Sequence, residues 1–264
     1  MVLGAPSLSR AARVGAIVTL ALRSVAVLLL GTSAVLGAQA AWSRFAVCFV
    51  DADPRVGGLP ADRVGACFAM QDHLYDYREP HAPWVPIADA AQREGLSLLA
   101  LGVAVALVAM TVADRWFVRV LGVAVAPLWL APGIPTLLSG LAREPVTYES
   151  LVGIFQWLLF LGPPIMIGLG LRAMSPGFLA LGWDRRRGGH DGLLIGLFWV
   201  AMTVAHPLVE FMVVLALWSS HDTSPLYGLL RCAAAVIAAA AVAATLVPVG
   251  KRPRFLPSPR RLTR

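Results

Sequence analysis

Residues 192–218 read GLLIGLFWVAMTVAHPLVEFMVVLALW, an apolar run of 27 residues broken only by Thr203, His206, Pro207 and Glu210. As a helix it would be about 40 Å long at 1.5 Å per residue. That exceeds the ~30 Å hydrocarbon thickness of a bilayer, so the segment must tilt or kink. Pro207 supplies the kink, because it has no N–H for the carbonyl of Thr203.

Five more stretches share this character: Val14–Leu36, Gly95–Ala113, Trp116–Ser139, Leu151–Leu171 and Leu226–Val249. Each is long enough for a membrane helix. None alternates as the short strands of a barrel would. The expected fold is therefore all-α, a polytopic membrane bundle of about six transmembrane helices. Residues 1–13 would precede it, the membrane domain would span 14–249, and a basic tail would follow at 250–264. The whole chain agrees, being 264 residues long with 58% hydrophobic and 14% charged residues. Soluble chains carry about 25% charge. The first run has a second reading as a secretory signal, with Ala38-Gln39-Ala40 as the cleavage site.

The formal charge is +7, which in a soluble chain would suggest nucleic acid. Here its distribution gives an orientation instead. Arg10, Arg13, Arg115, Arg185–Arg187 and the tail from Lys251 to Arg264 fall on one side of the six runs. By the positive-inside rule that side is cytoplasmic, and both termini lie there. The expected surroundings are the lipid bilayer of a cell (inner) membrane, with no nucleic acid. A partner membrane protein or self-association is the further possibility. Lys251 is the sole lysine and asparagine is absent, a bias that fits a GC-rich, bacterial coding sequence.

Residues 41–93 form the one long outer loop. Cys48 and Cys67 lie in it, and an extracytoplasmic side permits a disulfide between them. Asp72, His73 and Asp76 could share a helical face, but their spacing matches no specific metal site, so a solvated acidic face is expected. Pro80–Pro86 reads as a rigid lid with Trp84 at the headgroups.

Ionisable groups inside spans are costly and become functional candidates. His206 and Glu210 stand four residues apart. Across the short turn 219–225, Arg231 falls at the depth of Glu210, so the two could pair. Arg23 with Asp114 is a weaker pairing of the same kind. In the turn, His221-Asp222 resembles an oriented general base in spacing only. Pro127, Pro132, Pro135 and Gly162-Pro163-Pro164 suggest interrupted helices around a cavity. Gly192 and Gly196 permit close helix approach. No phosphate loop, dinucleotide fingerprint or H-E-x-x-H motif occurs, so no cofactor or metal is expected.

The leading expectation is an outward-facing protein that binds or moves a small solute or protons through His206, Glu210, Arg231, His221 and Asp222. The alternatives are an accessory or assembly subunit docking through its outer loop, and an enzyme on a lipid-linked substrate.

Overall fold

The computed structural model describes residues 10–49, 61–112, 116–174, 190–217 and 223–247. Most of these residues are helical, with no strand among them. The helices are α1 (Arg10–Phe49), α2 (Ala61–Met70), α3 (Ala90–Val112), α4 (Trp116–Ala124), α5 (Pro127–Ala142), α6 (Glu149–Met174), α7 (His190–Val204), α8 (Pro207–Leu217) and α9 (Leu229–Ala244).

Among the described residues, four stretches are long and apolar enough to cross a membrane: Arg13–Cys48, Ala90–Thr111, Trp116–Ala142 and Phe155–Met174. The pair α7–α8 would be a fifth if its 68° bend lies within one span. Leu20, Leu28, Trp157, Phe160 and Leu217 remain exposed on these helices. A helix that is apolar all round needs an apolar surrounding, so the molecule is a membrane helical bundle. The sixth expected span is shorter than its apolar run. Helix α9 has 16 residues, about 24 Å, with turns at Thr245–Leu246 closing it.

The loop start and the fourth run differ from expectation, and the third run agrees with it at Pro127. The long loop does not begin at residue 41, because α1 continues to Phe49 and buries Ala40, Ala41, Phe45 and Cys48 under the loop. The Cys48–Cys67 disulfide ties this extension to α2. The third run does break, at Pro127, which becomes a first-turn residue of α5, while Pro132 and Pro135 stay inside that helix. The fourth run does not break: α6 runs through Pro163-Pro164.

Helix α1 packs on α3 and α9, α3 on α5, and α7 on both α6 and α9. Small residues set these distances. Ala234, Ala235, Ala238 and Ala241 place α9 in the core. Gly192 faces the carbonyl of Ala173, where a Cβ would stand 2.7 Å from the oxygen. The glycine pair of α7 thus serves packing against α6 within this chain.

The break between α7 and α8 is held from three sides. His206 N–H bonds the carbonyl of Thr203 at 3.2 Å, tightening the last turn before Pro207. Trp129 of α5 donates to the carbonyl of Ala205 at 3.4 Å. His206 itself accepts at Nδ1 from Leu208 N–H (3.1 Å) and meets the carbonyl of Leu158 with Nε2 (3.3 Å). The ring is therefore a neutral tautomer with its proton on Nε2. It lies where a Cβ on Gly162 would come within 2.8 Å of Nε2. This close approach gives Gly162 a role without breaking α6.

Candidate polar cavity at the loop end

At the end of the bundle under residues 71–87, four charged side chains meet. Glu94, on the second turn of α3, is fully buried. Its Oε2 accepts from Arg231 Nη2 of α9 at 2.6 Å, and its Oε1 accepts from Arg78 Nε of the loop at 2.7 Å. Arg231 Nη1 donates to Ser97 Oγ at 3.0 Å, and Ser97 donates to the carbonyl of Ser33 on α1. Gly37 lets the guanidinium pass α1, because a Cβ there would stand 2.9 Å from Nη2.

Glu210 binds differently from the expected ion pair with Arg231. Its Oε1 accepts from the backbone N–H groups of Gly228 and Arg231, each at 3.0 Å. The carboxylate thus caps the N-terminus of α9, where free N–H groups and the helix dipole favour a negative charge. Its Oε2 meets Arg78 Nη1 at 3.3 Å. The depth match between residues 210 and 231 holds, but the guanidinium of Arg231 goes to α3. Glu94 was hidden in sequence because it sits at the polar edge of an apolar run. Arg78 and Arg44 resembled ordinary loop charge.

Arg44 organises the loop. It donates to the carbonyls of Met70 (2.6 Å) and Asp72 (2.9 Å) and pairs with Asp76 at 2.5 Å. Its guanidinium also lies over the rings of Phe45 and Tyr77. Asp72 caps the short 3-10 turn His73–Tyr75 through Leu74 N–H. Asp76 reaches His73 as well as Arg44. The supposed acidic face is therefore engaged in folding the loop. Among the described residues no group of three His, Cys, Asp or Glu is placed to hold a metal. Trp84 packs on the cluster of Ala40, Phe45 and Tyr77.

Beside the charged cluster lies a cavity of about 440 Å³. Arg44, Arg78, Glu79, Thr223, Tyr227 and Arg231 line its polar end. Pro132, Phe155, Leu159, Leu208, Phe211 and Leu215 form its apolar walls. Arg78 stacks over the Tyr227 ring at 4.5 Å. Burial pushes the phenol of Tyr77 above its ordinary range. It also raises the carboxyl of Glu79, against the opposing pull of Arg78 and His81. Glu79 has φ 48° and donates its backbone N–H to Thr136 Oγ1 at 3.1 Å. A non-glycine residue held in that region costs of order 1–3 kcal/mol.

Of the residues singled out in sequence, Arg231 lines this cavity, Glu210 lies behind it, and His206 is occupied at the helix break. His221 and Asp222 lie outside the described residues, as does Asp114, the proposed partner of Arg23. No family model, curated protein or solved structure matches the chain.

Proposed function

We propose that the chain is a cell-membrane protein whose loop end faces away from the cytoplasm and binds a small solute in the cavity under the loop. One observation carries this reading: about 440 Å³ of space, within the ~300–1,000 Å³ of small-molecule pockets, with apolar walls and a few convergent polar groups. The strained backbone of Glu79 at its edge adds support, since such outliers gather at functional sites. Solute binding is the primary role, and movement of solute or protons would use Glu79 rather than His206, whose two ring nitrogens are both engaged.

The test fills the cavity. Leu159→Trp places an indole among the apolar walls without touching the charged cluster. A panel of metabolites is screened for thermal stabilisation of the purified protein in nanodiscs. A ligand that stabilises the native chain and not Leu159→Trp supports the reading. A panel without such a ligand, joined to normal growth of cells carrying Leu159→Trp under conditions that the deletion fails, sinks it.

A second reading, an accessory subunit docking through its loop, draws on the mutual pairing of the cluster. All four oxygens of Glu94 and Glu210 are engaged by this chain's own groups. That reading expects Leu159→Trp to be silent and changes in the loop to abolish co-purification of a partner.

A further inference from the structure

We infer that the solute is a single-chain amphiphile with an oxyanion head, entering sideways from the bilayer between α6 and α8. This rests on the binding reading above and names its ligand class.

The walls are the first ground. Phe211 and Leu215 line the cavity yet are 49% and 53% exposed, so one face of the cavity wall is also the surface presented to lipid. The 68° bend at Pro207 carries α8 away from the line of α7. On the facing helix, Trp157 and Phe160 are exposed beside the lining residues Phe155 and Leu159. Both lips of the opening are therefore apolar. A water-soluble metabolite gains nothing from such a route, whereas an alkyl chain already dissolved in the bilayer can follow it without leaving apolar surroundings. The volume is at the lower end of the pocket range, which suits one chain rather than two.

The polar end supplies the second ground. Arg44, Arg78 and Arg231 line it against Asp76 and Glu79. Asp76 is taken by Arg44, Thr223 and His73. Glu94 and Glu210 are absent from the lining. Two guanidinium donors of these arginines, Arg231 Nε and Arg78 Nη2, have no acceptor among the described residues and are covered by neighbouring atoms, so a head group in the cavity reaches them through a small shift of the side chains. A buried donor without a partner is costly, and guanidinium N–H groups match carboxylate and phosphate oxygens in geometry and charge. Thr223 and Tyr227 add hydroxyls to the same end.

Four probes separate the parts of this proposal in phosphatidylcholine nanodiscs: dodecyl phosphate, dodecanoate, dodecanol and inorganic phosphate. The expected result is binding of one or both anionic amphiphiles at least tenfold tighter than dodecanol. Dodecyl phosphate against dodecanoate then decides between a phosphate and a carboxylate head. Leu159→Trp should weaken the preferred probe by tenfold or more while keeping the wild-type thermal midpoint without ligand. Equal affinity for dodecanol would remove the oxyanion head. Inorganic phosphate binding as tightly as dodecyl phosphate would remove the chain and the lateral route, while leaving a small-solute site intact. If no probe binds but a metabolite of the panel does, the amphiphile is overturned and the cavity reading stands. If neither binds, the amphiphile is overturned, and the cavity reading falls with it when cells carrying Leu159→Trp grow normally under conditions that the deletion fails.

Discussion

At the α7–α8 break, the polar groups come from a few consecutive residues and two neighbouring helices, and all are neutral. At the loop end, two glutamates and two arginines come from α3, α8, α9 and the loop, bonded to one another across as many as 137 positions in sequence. The break is a local event: proline removes one donor, His206 N–H takes up the carbonyl of Thr203, Trp129 donates to that of Ala205, and the His206 ring accepts from Leu208 N–H. The cluster is a tertiary event: four charges are tolerable in the bundle only because each finds its partner there. A neutral break costs little if one bond is lost. A charged cluster costs much, because losing one member strands the others.

The largest test of this contrast is Glu94→Ala. It removes the carboxylate shared by Arg78 and Arg231 and should cost about 3–5 kcal/mol, read by unfolding in mixed micelles. Adding Arg231→Met should recover part of the loss, since the stranded charge goes with it. A loss below about 1 kcal/mol for Glu94→Ala would mean that water reaches the cluster and that the contrast is false.

His206→Ala attacks the other side. It leaves Leu208 N–H and the carbonyl of Leu158 without their partner, and it should cost about 1–3 kcal/mol. A cost equal to that of Glu94→Ala would show the break to be as cooperative as the cluster.

The smallest effect belongs to Glu79→Gln. Burial raises this carboxyl in the folded state, so the folded protein binds its proton more tightly than the unfolded chain does. That contribution is fully present below the ordinary glutamate value of about 4.3 and is lost as pH rises through the folded value. Glutamine removes the slope. The variant should match the native protein in acid and exceed it by roughly 0.5 kcal/mol at neutral pH. Stability curves across this range check it, and a variant less stable at neutral pH would show that the carboxylate has a partner it needs.

Most of the fold was legible along the chain. Membrane helices announce themselves by apolar length, and Pro127 and Pro207 mark breaks because a missing N–H acts within one turn. The candidate site was half legible. Glu210 and Arg231 stood out as charges inside apolar runs, and their equal depth followed from helical rise across a short turn. Their true partners did not stand out. Glu94 lies near the start of a helix, at the polar edge of its apolar run, and Arg78 sits in a polar loop, positions where charge is ordinary. Gly162-Pro163-Pro164 misled in the other direction: it read as a break, and it marks a close approach of His206 to an unbroken helix.

The sequence by itself determined that this chain is helical and apolar enough for a bilayer, because backbone groups in lipid must be satisfied within each segment. It also determined that the run holding Pro207, too long to stand straight in a bilayer, would bend there. Only the tertiary structure decided which charges share a pocket, which carboxylate caps α9, and that a loop arginine reaches into the bundle. Those pairings depend on distances between segments far apart in the chain, and no local pattern of residues encodes them.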